Sequence, residues 1–144
     1  MDNTDLQFKH SASCNANSTF AWAFWTDVSN WEKIEGDTVE WIRLDGDFQI
    51  GAKGMTKTPG QEPQHWTITD LVAEEYATID IELPGAILHN TMRFKSLAED
   101  HTLITQTMEL SGPEASEFIE GLNMLKKSAP AGLAKLARTI EANQ

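Results

Sequence analysis

The chain of 144 residues has a single cysteine, Cys14, and few basic residues, with 11 Lys and Arg against 22 Asp and Glu and a net charge of −11. One cysteine excludes an internal disulfide and a cysteine-based zinc cluster. The excess of acids disfavours binding to nucleic acids and anionic membrane surfaces, because both present phosphate groups of the same sign. We therefore expect neither a nucleic-acid partner nor a membrane partner.

Long apolar runs are also missing. No stretch approaches the length of about 18 apolar residues that a membrane-spanning helix needs. Met1–Leu6 is acidic and polar, whereas a secretory signal begins basic and becomes apolar. We therefore expect a cytoplasmic protein. A hydrophobic fraction of 40% fits one globular domain over residues 1–144 that buries its own core.

The clearest periodic signal lies between Glu114 and Ala142. Apolar residues recur there at steps of three and four, the spacing of one stripe along a helix: Phe118, Leu122, Leu125, Ala129, Leu133, Leu136 and Ile140. Pro130, with Gly132 close by, predicts that this helix is kinked or split in two. The stripe keeps its phase across Pro130, so we expect both halves to pack on one surface, with an entrance beside the kink.

The N-terminal part predicts one strand followed by two short helices. Gln7–Cys14 alternates between apolar and polar residues, which indicates a strand with one buried face. Asn17 or Ser18 then caps a short helix. A second short helix passes through Trp31 and ends at Glu35-Gly36-Asp37.

A period of two residues dominates the middle of the chain. Apolar alternation bounded by turn residues predicts six further strands: Val39–Asp45, Gly51–Thr58, Gln64–Val72, Tyr76–Leu83, Ile87–Phe94 and Thr102–Leu110. Their short connections favour antiparallel neighbours. The pattern therefore predicts an α+β fold with a seven-stranded antiparallel sheet and a long C-terminal helix.

The segment Cys14–Trp31 resembles the opening of the START-like SRPBCC superfamily, in particular its polyketide cyclase/dehydrase and lipid-transport branch. Leu44–Gly51, the strand ending at Leu83–Gly85 and the exit Leu103–Pro113 resemble further parts of that family. The resemblance covers nearly the entire chain. Its motifs consist of hydrophobic spacing and turn glycines, which specify a fold better than an activity.

The resemblance implies a helix-grip fold, in which a curved sheet wraps the C-terminal helix and leaves a deep, largely apolar cavity. Members bind lipids, sterols, plant hormones, quinones or polyketide intermediates, and some catalyse cyclisation, aromatisation or dehydration. One fold serves all these functions, so the fold does not select among them. Activators of the Hsp90 chaperone carry a paired glycine from which Gly51-Ala-Lys-Gly54 departs, which disfavours that branch.

Four of the predicted inward faces are apolar except for one residue. These polar residues are His10, Asp70 (on a face with Trp66 and Ile68), Asn90 and Gln106. Buried polar groups need hydrogen-bond partners. In one interpretation they satisfy backbone groups or an ordered water, and Asp70 reaches solvent at a strand end. In the other they orient a mostly apolar ligand, and His10 and Asp70 are candidate catalytic acid–base groups.

The remaining candidates for a ligand site are large side chains on the same surfaces. The ligand-binding set predicted from the sequence is Trp41, Trp66, Asn90, Met92, Gln106, Met108, Phe118, Leu122 and Leu125. Trp66 either belongs to the core or stacks on a flat ligand ring. Trp41 qualifies only if its strand faces inward with Arg43 and not with Ile42. Met55 and Met124 are expected to add polarisable lining to a pocket or to belong to an ordinary core.

The tryptophans at positions 22, 25 and 31 are expected to close one end of the sheet, since large aromatic rings dominate core burial. His89 and Arg93 fall on the face opposite Leu88, so we expect them on the exterior. No His-Glu-x-x-His motif, triad-like pattern, phosphate loop or dinucleotide fingerprint is evident. We therefore expect no metal and no cofactor.

Three functions remain open from the sequence. The first is binding of a small apolar or aromatic molecule, lipid-like, polyketide-like or quinone-like, in the cavity. The second is a polyketide cyclase/dehydratase-type enzyme that uses cavity acid–base groups. The third is a protein-interaction module with a nearly filled core, for which the cavity would fall below about 300 Å³. The sequence carries no signal for an oligomeric state.

Overall fold

The computed structural model describes residues 6–35 and 38–144. Its strands are β1 (Gln7–Cys14), β2 (Trp41–Asp45), β3 (Lys53–Lys57), β4 (Gln64–Val72), β5 (Tyr76–Leu83), β6 (Ala86–Ala98) and β7 (His101–Ser111). Its helices are α1 (Ser18–Thr26), α2 (Trp31–Glu35) and α3 (Ile119–Asn143), and 3₁₀ turns at Val28–Asn30 and Ala115–Phe118 precede α2 and α3. The predicted end of α2 at Gly36 and Asp37 lies outside the described residues.

All seven strands form one antiparallel sheet in the order β1-β7-β6-β5-β4-β3-β2. The first strand of the chain therefore pairs with the last one, and β1 and β2 are the two edges. The predicted α+β helix-grip fold, with a seven-stranded antiparallel sheet and a long C-terminal helix, is confirmed. Among the described residues, no helix is both long enough and apolar enough to cross a membrane.

The hairpin of β6 and β7 is longer than its apolar alternation predicts. β6 continues to Ala98, and Lys95 and Ser96 still pair with β7. The side chains from Lys95 to Ala98 are exposed, because the end of this hairpin extends beyond the core. The strands therefore remain paired beyond the last apolar residue that faces the core.

Strand β4 contains a bulge that the sequence prediction missed. Ile68 pairs with Ile79, but Asp70 pairs with Thr78, which leaves Thr69 as an extra residue. An extra residue reverses the faces beyond it. Leu71 therefore takes the inward position, and Asp70 is exposed on the outer face. The prediction that Asp70 shares the inward face of Trp66 and Ile68 was wrong.

Strand β2 faces inward with Ile42, which is buried. Trp41 and Arg43 lie on the opposite, outer face, where the guanidinium carbon of Arg43 is 4.3 Å from the Trp41 ring centroid. The prediction that Trp41 contributes to the ligand site required it to face inward, and the structure places it on the outer face. Met55, paired with Arg43, also faces outward, so its predicted lining role was wrong.

Helix α3 runs without interruption from Ile119 to Asn143 although Pro130 lies inside it. The predicted split at Pro130 was therefore wrong, because the residues on both sides of the proline belong to the same helix. The predicted apolar stripe faces the interior: Leu122, Leu133, Leu136 and Ile140 are buried, and its other members, Phe118, Leu125 and Ala129, are partly buried. Met124 is 71% exposed, so its predicted lining role was also wrong.

The interior consists of two apolar clusters. The larger cluster joins α1, the C-terminal half of α3 and much of the sheet, and it contains the predicted aromatic plug, in which the Trp25 ring packs against Trp22, Trp31, Phe48 and Phe94. The smaller cluster has these buried members: Phe8, Leu88, Met108, Leu110, Ala115 and Leu122. Helix α3 packs mainly against β1 and contributes to both clusters.

Candidate functional site

A row of three polar side chains separates the two clusters on the inner face of the sheet. On β1, His10 lies between Phe8 of the smaller cluster and Ala12, which packs on the larger one. Asn90 occupies the same position on β6, between Leu88 and Met92, and Gln106 on β7, between Ile104 and Met108. We call His10, Gln106 and Asn90 the polar row. Their predicted inward placement is confirmed, and all three are half-buried.

Hydrogen bonds join the polar row across three adjacent strands. His10 and Gln106 are directly paired residues of β1 and β7, and His10 Nε2 lies 2.8 Å from Gln106 Oε1. Gln106 Nε2 donates to Asn90 Oδ1 at 3.1 Å. Buried polar groups need hydrogen-bond partners, and the three residues of the polar row largely serve as partners for each other.

The other ring nitrogen of His10, Nδ1, is buried and has no hydrogen-bond partner among residues 6–35 and 38–144. Because Gln106 presents an amide oxygen to Nε2, Nε2 carries the proton, and Nδ1 of a neutral ring is then an acceptor. An unsatisfied buried polar atom is unfavourable by about 1–3 kcal/mol. A donor from a bound molecule or a water fits this position.

The surroundings of the polar row are apolar. The Phe8 ring stacks on His10 with ring centroids 5.8 Å apart, and Met92 and Met108 are buried on the neighbouring strands. On the helix side, Leu122 is buried in the smaller cluster. Phe118 and Leu125 are partly buried and pack against that cluster. Five predicted ligand-binding residues of apolar type therefore lie in this half of the interior or at its border: Met92, Met108, Phe118, Leu122 and Leu125.

Trp66 lies in the larger cluster and is only 3% exposed. Its ring rests directly on the backbone of Gly54, where any Cβ would overlap it. Its ring centroid is 5.2 Å from that of Trp31, and its Nε1 donates to Thr56 Oγ1 at 3.1 Å. Of the two interpretations of Trp66, these contacts favour a core residue over a ring that stacks on a ligand.

Surface depressions of the described residues lie in two other places. One has a volume of about 420 Å³ and lies at the end closed by the aromatic plug, with Val28, Glu32, Ile42 and Phe48 in its wall. The other, of about 370 Å³, lies beside Arg43, Met55 and His65. Neither is lined by the polar row or by Pro130, so the predicted entrance at Pro130 does not correspond to either depression.

On the outer face of the sheet, a histidine joins an acid and a hydroxyl. His89 Nδ1 lies 2.7 Å from Asp80 Oδ1, and His89 Nε2 lies 2.7 Å from Ser111 Oγ. The exterior position predicted for His89 is confirmed, but no triad-like pattern was recognised in the sequence. Alternation alone places these residues on outer faces. Their contact depends on β6 lying between β5 and β7, which no local pattern reveals.

Cys14 and Tyr76 have shifted pKa values. Burial, with a smaller contribution from the charge of Glu141, raises the pKa of the Cys14 thiol from 9.0 to about 11. Cys14 is therefore a packed thiol and not a ready nucleophile. On the outer face, the hydrogen bond from Tyr76 Oη to the Asp70 carboxylate raises the pKa of Tyr76. Within residues 6–35 and 38–144, no group of three or more His, Cys, Asp or Glu residues is arranged to hold a metal ion.

The family model described as polyketide cyclase / dehydrase and lipid transport matches residues 5–141. The chain belongs to this family. No curated protein matches it at a significant level. The family assignment confirms the superfamily that the sequence resembles.

Solved structures share the fold of this polyketide cyclase/dehydrase and lipid transport family member. Norcoclaurine synthase from Thalictrum flavum is 14% identical, with a TM-score of 0.74 over 96% of this chain and 87% of that one. An aromatase/cyclase from Streptomyces sp. R1128 is 16% identical, with a TM-score of 0.72 over 94% and 93% of the two chains. A protein from Nitrosomonas europaea is 11% identical, with a TM-score of 0.74 over 99% and 97%. At these identities the similarity establishes the fold alone.

Proposed function

We propose that this protein binds a small apolar or aromatic molecule, lipid-like, polyketide-like or quinone-like, between the sheet and α3, and that the polar row orients it. The observation that carries the proposal is the buried, unpartnered Nδ1 of His10. A few fixed polar groups in an otherwise apolar interior are typical of ligand sites. Membership of the polyketide cyclase/dehydrase and lipid transport family supports the same class of ligand.

The chemistry of the polar row defines the polar end of the ligand. His10 Nδ1 is an acceptor, so the ligand is expected to place a hydroxyl or N–H group against it. Because Gln106 holds the imidazole from the neighbouring strand, the acceptor is oriented before the ligand arrives. The norcoclaurine synthase structure contains dopamine and hydroxybenzaldehyde, which are small aromatic molecules with hydroxyl groups, and this supports the proposed ligand class.

The second candidate function is an enzyme of the cyclase/dehydratase type. The unpartnered Nδ1 of His10 favours this function as well. In such a reaction His10 Nδ1 would take a proton from the carbon beside a carbonyl group. The protonated ring would then give that proton to a departing hydroxyl group, which leaves as water. Of the two acid–base candidates from the sequence, His10 alone faces the interior, since Asp70 is exposed on the outer face.

The binding proposal is tested by a matched pair of ligands. 2-Naphthol and 2-methylnaphthalene have similar shapes, but only the naphthol donates a hydrogen bond. We expect the native protein to bind 2-naphthol about tenfold more tightly, which corresponds to one hydrogen bond. His10→Phe should abolish that preference, whereas Ser11→Ala, on the outer face of the same strand, should retain it. The measurement is isothermal titration calorimetry, with native mass spectrometry of undenatured protein to detect a co-purified ligand.

The outcomes separate the functions. If neither naphthalene binds and no co-purified ligand is found, the binding proposal is wrong and the protein-interaction module is favoured. If both compounds bind equally well to the native protein, the polar row does not orient the ligand. For the enzyme, His10→Ala should lower turnover of a β-ketoacyl thioester by at least ~100-fold, and Asp70→Asn should leave it unchanged. Equal rates in the native protein and His10→Ala would exclude His10 as the acid–base group.

A further inference from the structure

The outer face of the sheet carries a second set of reactive side chains, separated from the polar row by the sheet itself. Asp80, His89 and Ser111 belong to β5, β6 and β7, which are three adjacent strands. His89 lies directly opposite Asp80 in the β5–β6 pairing, and it reaches Ser111 diagonally across the β6–β7 pairing. Side chains on paired strands are held more precisely than side chains on loops.

The hydrogen bonds assign the protons. A carboxylate only accepts, so the 2.7 Å contact with Asp80 requires that His89 Nδ1 carries a hydrogen. In the neutral ring Nε2 is then the acceptor, and the Ser111 hydroxyl donates to it over 2.7 Å. A hydroxyl that donates to an imidazole, with the imidazole oriented by a third group, is the arrangement that activates a serine as a nucleophile.

These three side chains are accessible to small molecules. The side chains of His89 and Asp80 are 29% and 20% exposed, and Ser111 is half-buried at the last position of β7. Gly112 follows with φ +104, and a Cβ there would meet the Ala86 backbone at 2.9 Å. The chain therefore turns away directly after the serine and leaves its hydroxyl at the end of the sheet.

We propose that Asp80, His89 and Ser111 form a nucleophilic site that reacts with small, uncharged acyl esters. Ser111 Oγ forms a bond to the carbonyl carbon while its proton passes to His89 Nε2. The ester C–O bond then breaks, and the departing alcohol takes the proton from the imidazolium. Water, with His89 again as the base, hydrolyses the acyl-serine to the free carboxylate. Asp80 is a positioning residue that holds the imidazole tautomer.

The neighbours of the site define the substrate class. Glu109 lies opposite His89, and Glu82 is two residues from Asp80 on the same outer face. These two carboxylates repel anionic esters. Ile87, which pairs with Ser111, is 37% exposed and offers an apolar contact for a short acyl chain.

Acylation of the serine requires only the nucleophile and its base, whereas rapid turnover also needs a hydrogen-bond donor for the carbonyl oxygen of the ester. One such donor typically contributes ~10²–10³ in rate. Covalent labelling is therefore the appropriate measurement, because it requires only the nucleophile and its base.

The experiment treats the full chain with a small alkyl fluorophosphonate, which serine oxygens attack with loss of fluoride, and locates the label by peptide mass spectrometry. We expect the label on Ser111. Ser11 is the internal control, since its hydroxyl lies on the same outer face but contacts Thr105 Oγ1 at 2.9 Å and no imidazole. His89→Gln should slow labelling of Ser111 by at least ~100-fold, and Asp80→Asn by at least ~10-fold.

A spectroscopic measurement separates positioning from folding. The ¹⁵N shifts of His89 should identify the Nδ1–H tautomer in the native protein, and Asp80→Asn should change the tautomer while the other three histidines keep theirs. Labelling of Ser111 no faster than labelling of Ser11 would overturn the proposal. So would a labelling rate unchanged in a folded His89→Gln variant, because the three side chains would then be only a cross-strand polar ladder.

Discussion

His10 Nε2 and Gln106 Oε1 lie 2.8 Å apart, although 96 positions separate the two residues in the chain. Gln106 also donates to Asn90, so one amide side chain links an edge strand to two strands of the sheet interior. The buried face of the sheet therefore contains a continuous polar connection between two apolar clusters.

Gln106→Leu should destabilise the protein. The change leaves His10 Nε2 and Asn90 Oδ1 without their partner in the interior, and we expect the free energy of unfolding in urea to fall by about 1–3 kcal/mol. Ser11→Ala removes the exposed hydrogen bond to Thr105 and should change stability by no more than about 0.5 kcal/mol. Equal effects of the two substitutions would show that the polar row is solvated and not buried.

Gly54→Ala should disturb the aromatic cluster. A Cβ at residue 54 overlaps the Trp66 ring, so the ring must move away from Trp31 and from its hydrogen bond with Thr56. We expect a loss of about 1–3 kcal/mol, together with a red shift of tryptophan fluorescence. Gly132→Ala is the control, because its Cβ meets nothing within 4 Å and alanine favours the helix by about 1 kcal/mol. A fully stable Gly54→Ala variant would contradict the packing of Trp66 on Gly54.

Pro130→Ala should stabilise α3. Pro130 is exposed, and alanine restores one backbone donor in the helix interior, so we expect a gain of up to about 3 kcal/mol in urea unfolding. Gly121→Ala, at an open position of the same helix, provides a reference gain of about 1 kcal/mol. A loss of stability in Pro130→Ala alone would mean that the proline shapes the helix so that both halves reach the sheet.

The ionisation of Tyr76 should depend on Asp70. Tyr76 is the only tyrosine of the chain, so the ultraviolet absorbance of phenolate follows its ionisation alone. The hydrogen bond to the Asp70 carboxylate is the main cause of the raised pKa of Tyr76. Asp70→Asn should therefore lower that pKa toward 10.0, the ordinary value. Asp100→Asn, in the turn between β6 and β7, should leave the titration unchanged. A Tyr76 pKa that is the same in Asp70→Asn as in the native protein would contradict the hydrogen bond between the two residues.

Stability should fall at high pH because of Cys14. The thiol has a pKa of 9.0 when unfolded and about 11 when folded, so between these values the unfolded state releases a proton that the folded state retains. The contribution of the thiol to stability is therefore complete below pH 9.0 and declines as the pH rises toward 11. The difference in urea stability between the native protein and Cys14→Ala should shrink over this range. A difference that is constant with pH would mean that the thiolate is tolerated at this position.

Much of the fold follows from local pattern. The boundaries of Gln7–Cys14 and Tyr76–Leu83 coincide with the predicted ones, because alternation is strong there and turn residues bound both strands. The inward placement of His10, Asn90 and Gln106 follows from the same alternation. In regular strands, a polar residue on an otherwise apolar face was therefore correctly predicted to point into the interior.

The misplaced Asp70 and the missed contact of Asp80, His89 and Ser111 have a common physical origin. The bulge in β4 inserts one residue without any change in composition, so Asp70 is turned outward although the alternation continues through it. The contact of Asp80, His89 and Ser111 requires the order β5-β6-β7 and the register of both pairings. These properties are set by the pairing between strands, which the pattern of residues within one strand does not encode.

The pairing of β1 with β7 also has a consequence for the order of folding. Translation delivers β1 first, but its partner strand begins at His101, so β1 stays unpaired until most of the chain has left the ribosome. Contacts between such distant segments form slowly, since a long loop must close before they are made. Helix α3, which packs on β1, follows later still. The polar row is therefore assembled among the last parts of the molecule, and a chain that ends before Gln106 cannot form its hydrogen bonds.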